Sequence, residues 1–338
     1  MSKGYNIAST HALFQYFDQE VIDICRNQGY TLVMDEVADV IEPYNISDYD
    51  YNVLMEKFIE VDENTGLINW RQDVSNYTGE FAEVKRLCEM KCLGCYGNAI
   101  VVWLFPIEVF NMFDEIFILT YMFNAQIQRY YYDFFGLEYS NLYVKGDSVD
   151  TYHFTTEYVE NKSKVDYGSL IHIIDNKKLN HIGDGIYDLS KNWYIRNQDN
   201  ILMNTLKNNT TNFFRHICNT KSSLNLWTTF KDFKHLISGK GYAKGFEANN
   251  CRATNKHRNK TCVAYLINKY LNSVIKQFFL DKNVEVDEDG YALSEMLQFI
   301  WRSAIRDGKE ITVYIPSSRM RGLLKKWIED NSFKGEQL

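Results

Sequence analysis

Short, strongly apolar runs alternate with helical stripes along this chain, and that alternation restricts it to an α/β architecture. Residues 30–34 (Tyr-Thr-Leu-Val-Met), 100–105 (Ile-Val-Val-Trp-Leu-Phe), 116–119 (Ile-Phe-Ile-Leu), 262–267 (Cys-Val-Ala-Tyr-Leu-Ile) and 311–315 (Ile-Thr-Val-Tyr-Ile) are runs of this kind. Such runs suit strands buried on both faces, as in a parallel sheet covered by helices. Residues 12–27 carry Leu13, Phe14, Phe17, Val21 and Ile24 at helical spacing, with Gly29 as a stop. Residues 5–8 read as a short strand before that helix. Helices are also expected over 109–113, 201–217, 292–306 and 319–330, and strands over 169–175 and 224–230. Ligands of such sheets bind at the carboxyl ends of the strands, where Asp35-Glu36 and Thr120 fall.

The length of 338 residues suits two domains, and 45% hydrophobic with 24% charged residues is a globular composition. Residues 43–98 read as an irregular, partly helical excursion, acidic at its start. Lys162-Ser163-Lys164 is a plausible linker, which places the division near residue 160. The amino terminus has no apolar signal-peptide core, and no apolar run approaches the ~18 residues of a membrane span. A cytoplasmic protein with its seven cysteines as thiols is therefore expected, without a membrane partner.

The net charge of −7 conceals an asymmetry. Residues 191–338 hold 24 Lys+Arg against 14 Asp+Glu, whereas residues 1–190 hold 13 against 30. From Lys221 to Lys276 there are eleven basic residues and only two acidic ones, Asp232 and Glu247. This stretch suits a phosphate backbone, and it equally suits a solvated basic face docked on the acidic half. Trp227 with Lys231 and Lys234 is its best candidate for base stacking beside phosphate contact. The run from Tyr130 to Phe135 is better read as core packing than as a stacking platform.

Four constellations could carry chemistry. Leu32-Val33-Met34-Asp35-Glu36 delivers two carboxylates at a strand end, where an Asp can order magnesium and a Glu can position water. On a continuous helix Gln298, Arg302 and Arg306 would share one face, an amide and two guanidiniums suited to polyphosphate. Cys88, Cys92 and Cys95 include one pair at zinc-knuckle spacing but lack a second pair, so they read as buried or loop thiols before a zinc site. Pro316-Ser317-Ser318-Arg319 and Arg321 form a capped strand-to-helix junction that could also hold an anion.

In this order the motifs resemble the superfamily-two (DEAD/DEAH-type) helicase-like proteins of bacteriophages and prophages. Residues 9–14 resemble the segment after the family's P-loop helix. Asp35-Glu36 stands at its DEAD/DEAH-type motif, and Leu119-Thr120 with Tyr121-Met122-Phe123 at its coupling motif. Arg252-Ala253-Thr254-Asn255 and the strand after it resemble the second-lobe motif that touches nucleic acid and nucleotide. Gln298 to Arg306 resembles the arginine-finger motif. The resemblance implies two RecA-like lobes with parallel sheets, residues 1–160 and 161–338, the first incomplete at its amino end and carrying the insertion at 43–98. It implies ATP hydrolysis in an interlobe cleft. There Asp35 acts through magnesium, Glu36 activates water, Thr120 and Gln298 assist nucleotide binding, and Arg302 and Arg306 stabilise the γ-phosphate. DNA or RNA is the implied partner, contacted by Arg252, Thr254, Asn255, Lys256 and Trp227, in a setting of phage replication or recombination proteins.

The sequence departs from that pattern in its phosphate-binding part. No Gly-Lys-Ser or Gly-Lys-Thr occurs, and Gly239-Lys240-Gly241 lacks the hydroxyl that ligates magnesium. Val37-Ala38 follows Asp35-Glu36, and the two arginines stand four residues apart where three is usual. The pattern is that of a core beginning downstream of its own nucleotide-binding loop, and ATP binding is expected to be poor. The alternatives are a non-catalytic nucleic-acid-binding or interaction protein on the same scaffold and, third, a small zinc-containing binding module in a structural protein.

Overall fold

A computed structural model describes the chain apart from residues 1, 11, 12, 14–16, 18, 98, 99, 147–150, 158–164, 251–254 and 333–338. Its contacts divide it into two compact units, Met1–Tyr139 with Leu271–Asp287, and Ser140–Tyr270 with Glu288–Leu338. The expected linker 162–164 lies outside the described residues.

In the first unit the helix Gln19–Gln28 buries Ile22 and Cys25 and ends at Gly29, whose φ of +66° only glycine adopts freely. Strand β1 (Thr31–Asp35) follows and pairs in parallel with β7 (Glu115–Leu119), Asp35 opposite Leu119. These two strands form a sheet of their own, and Val33 and Leu119 on one face are exposed. Residues 5–8 are exposed and form no strand, which corrects the expectation there.

Residues 43–98 have a core of their own and are not an irregular excursion. Strands β2 (Ile41–Pro43), β5 (Leu93–Tyr96) and β6 (Ile100–Leu104) form an antiparallel sheet in the order β2-β6-β5. Strand β6 was expected in a parallel sheet. Three residues separate it from β5, far too few for the crossover that parallel strands require. A second hairpin, β3 (Ile59–Val61) with β4 (Ile68–Trp70), and the helices Asp48–Lys57 and Ala82–Glu89 enclose Leu54, Ile59, Ile68, Leu87, Cys88 and Leu93. The helix Ser273–Asp281 belongs to this unit because Phe279 packs on Tyr130 and Phe278 on Phe134. Tyr130, Tyr131 and Tyr132 are buried, as core residues.

The second unit opens with an exposed hairpin, β8 (Tyr143–Gly146) with β9 (Tyr152–Thr155). Its centre is a parallel sheet of β10 (Ile171–Ile173), β11 (Asn225–Thr228), β12 (Cys262–Tyr265) and β13 (Ile311–Tyr314), ordered β10-β13-β12-β11. One face, with Trp227, Ala264 and Tyr314, packs against Trp193, Tyr194, Leu206 and Phe213 from the helices Lys191–Asn197 and Ile201–Asn212 and the π-turn after the latter. On the opposite face Tyr265 packs on Phe299 of the helix Glu288–Ile300. Helices therefore cover both faces, as such apolar strands require.

The helix expected over 292–306 is shorter at its carboxyl end. The Ser303 hydroxyl donates to the Ile300 carbonyl at 2.6 Å, and Ser303 itself is extended, with ψ −169°. The Ala304 amide then donates to Lys260 O at 2.9 Å, which draws the backbone off the helix axis. Gln298, Arg302 and Arg306 consequently do not share a helical face. Among the described residues no helix is long and apolar enough to cross a membrane.

Candidate nucleic-acid interface

The pairing of β1 with β7 brings Asp35, Glu36 and Thr120 to the same end of one parallel ribbon. Asp35 is exposed and Thr120 half-buried. The Glu36 amide donates to Leu119 O at 3.1 Å and continues the ladder. Glu36 has φ +78°, a left-handed conformation uncommon for a residue with a Cβ. Among the described residues no group of three His, Cys, Asp or Glu side chains is arranged to hold a metal ion.

The two arginines have different surroundings. Arg302, expected to face a triphosphate, is buried, and its guanidinium donates to the carbonyls of Ala248 and Asn249 at 3.3 and 3.2 Å. It fixes the loop before β12, because burial leaves a guanidinium no alternative to protein acceptors. Arg306 is exposed and donates to Asn255 Oδ1 at 2.8 Å, so two of the expected site residues meet. Gln298 is half-buried on the helix Glu288–Ile300.

Trp227, expected to stack on bases, is fully buried in β11, and its indole N–H donates to Tyr242 O at 2.9 Å. Strand alternation directs it into the core, although its neighbours in sequence are basic. Lys256 is exposed and forms an ion pair of 2.6 Å with Glu247. Glu247 also accepts or shares a proton with His257 Nε2 at 2.7 Å. Burial lowers the pKa of His257 below its ordinary value, opposed by the Glu247 carboxylate. Arg252 and Thr254 lie outside the described residues.

The remaining motifs are structural in what they touch. Ser317 caps the final helix by accepting from the Met320 amide. Arg319 binds Asp289 and the Lys269 carbonyl, and Arg321 binds the carbonyls of Ile315 and Pro316. Cys88, Cys92 and Cys95 are buried thiols, and burial pushes Cys88 and Cys92 up to about 12.

Free cationic groups occur elsewhere, along the β11 edge of the second unit's sheet. Lys221, Lys231, Lys240 and Lys244 are exposed, as are Arg215 and Lys234, and none of the six forms an ion pair with another described residue. The loop after β11 curls back on that edge. Phe246 bridges to Trp227, and the Lys234 ammonium lies 4.5 Å from the Phe246 ring. Gly245 touches the Asn225 carbonyl so closely that a Cβ has no room, which holds Lys244 beside β11. The Arg215 side chain lies 3.6 Å from the Cβ position of Gly241, which joins it to Lys240. The density of basic residues in sequence signalled this edge; the choice of which were free did not.

Residues 165–328 match the family model described as the YonV C-terminal Rossmann-like domain, and residues 41–103 that of the YonV middle domain. The first span covers the four-stranded parallel sheet, and the second covers the antiparallel core from β2 to β6. Over 336 residues the chain is 40% identical to the SPbeta prophage-derived protein YonV of Bacillus subtilis (strain 168), which covers 98% of this chain and 81% of that relative. No solved structure matches the chain.

Proposed function

The chain belongs to the YonV family, and from that premise we propose that it binds nucleic acid without turning over ATP, through the basic edge of its Rossmann-like unit. The observation that carries this reading is the group of exposed cations Arg215, Lys221, Lys231, Lys234, Lys240 and Lys244, none of which forms an ion pair with another described residue, on a protein of net charge −7. A surface on which basic groups outnumber acidic ones, with Asp232 the one carboxylate between Lys221 and Lys244, favours a polyanion on an otherwise acidic protein, and a DNA or RNA backbone provides repeated charge. Phage replication or recombination would be a natural setting.

A helicase-type ATPase is the second reading. Its support is the placement of Asp35, Glu36 and Thr120 at one end of the β1–β7 ribbon, together with the motif order that resembles the superfamily-two helicases and their two RecA-like lobes. The residues present do not fit ATP and magnesium well: the chain has no Gly-Lys-Ser or Gly-Lys-Thr, and Arg302 is committed to backbone carbonyls.

Binding of a fluorescent oligonucleotide, followed by anisotropy over a range of salt concentrations, tests the proposal. The affinity should fall steeply with salt. Lys231→Glu combined with Lys244→Glu should weaken binding at least about tenfold and reduce the salt slope by about two. Binding indifferent to both salt and the double substitution would contradict the basic-edge assignment. ATP turnover abolished by Glu36→Gln would move the function to the second reading.

A further inference from the structure

A shallow groove is lined by Tyr187, Ser190, Asn192, Ile195 and Arg196. It belongs to the loop and helix that follow β10, in a doubly covered parallel sheet of the kind that binds ligands at strand carboxyl ends. The helix Lys191–Asn197 presents two faces. Trp193 and Tyr194 are buried, and Tyr194 stacks on Phe233 at 5.2 Å and donates to Leu266 O at 2.7 Å. Asn192, Ile195 and Arg196 point the other way and are exposed. Tyr194 also packs on Phe230, so the groove helix is fixed to the segment that presents Lys231 and Lys234.

The loop under Tyr187 is held with unusual completeness for a surface segment. Asn268, just beyond β12, donates through its side chain to the carbonyls of Ile186 at 2.7 Å and Asp188 at 2.9 Å, and through its amide to Leu189 O at 2.9 Å. Leu189 is buried with φ +61°, a strained conformation that persists only where its surroundings impose it. The Tyr270 hydroxyl donates to Ile186 O as well, and the Arg319 guanidinium covers the Tyr270 ring at 4.3 Å. Tyr187 stands beside Tyr270, ring centroids 5.7 Å apart, yet remains 63% exposed. A rigid backbone therefore presents an aromatic face to water, with a guanidinium on the adjoining helix.

We propose that this groove takes one nucleotide of a single strand, its base stacked on Tyr187 and its phosphate on Arg196, while the neighbouring strand crosses the lysines of the basic edge. The inference rests on the nucleic-acid reading above and adds a strand preference to it. Stacking accepts any base, but a duplex keeps its bases inside and cannot offer one.

The test measures anisotropy with a labelled thymidine 20-mer, the same strand in duplex form, and a 20-mer with abasic sites throughout. Tyr187→Ala should weaken binding of the thymidine 20-mer about tenfold. It should leave duplex and abasic binding unchanged, and Tyr187→Phe should retain wild-type affinity. Equal affinity of wild type and Tyr187→Ala for the thymidine 20-mer would overturn the groove assignment and leave the basic edge standing. Equal losses on all three ligands would overturn it in the same way. Displacement of the 20-mer by micromolar thymidine monophosphate would assign the groove to a free nucleotide, against the proposal. No binding of any polynucleotide by the wild type would overturn both readings together.

Discussion

Arg302→Ala should destabilise the second unit by about 3 kcal/mol, measured as a shift in the urea midpoint at constant slope. The substitution removes the donors to the Ala248 and Asn249 carbonyls from an environment where Arg302 itself is buried. Ala248 and Asn249 are half-buried, so each carbonyl left without its donor costs about 1 kcal/mol, at the low end of the range for buried groups, and the volume vacated by the buried Arg302 side chain adds to that. Arg302→Lys should recover only part of the loss, because an ammonium lacks the planar fork that reaches two carbonyls. Unchanged stability with impaired handling of a nucleotide would instead restore Arg302 to the role that the motif resemblance implies.

Gly183→Ala should cost about 2–3 kcal/mol, because its added Cβ would press on the backbone of Pro316 and Ser317. Gly183 is buried in the turn His181–Gly183 that follows the helix Lys177–Asn180, and the Pro316 carbonyl lies just beyond β13, so the contact ties that turn to the end of β13. Backbone cannot swing away as a side chain can. Gly185→Ala is the matched control. Its Cβ would meet the carboxylate of Asp188, a side chain that can shift at the expense of the hydrogen bond it accepts from the Gly185 amide, and a thermal melt should shift less.

The difference between what could and could not be read from the sequence follows from the range of the forces involved. Strands β1, β7, β12 and β13 were legible because each lies in an apolar run between breakers, a local property, and β10 and β11 fall within the strand-like stretches 169–175 and 224–230. The direction of β6 was legible only in principle, through the three-residue link to β5. The helical face of Gln298, Arg302 and Arg306 failed because the helix stops at a distant cue, the Lys260 carbonyl that receives the Ala304 amide. Trp227 misled because a basic neighbourhood suggests exposure, whereas its strand position determines burial. Within the candidate site the basic edge showed as a density of charge. The groove did not show, since Asn268 and Tyr270 hold Ile186 from 82 and 84 residues away.

The sheet order β10-β13-β12-β11 also has a consequence for biosynthesis. Strand β10 is the first of the four to leave the ribosome, and its neighbour in the sheet, β13, is the last. Residues 171–173 must wait for residues 311–314, a long-range closure of the kind that slows folding. Until then β12 also lacks one neighbour, and its apolar surface is open to the chaperones and aggregation that attend nascent chains. A nonsense mutation anywhere before residue 311 should therefore abolish the folded Rossmann-like unit as a whole, because the missing piece is an inner strand of its sheet.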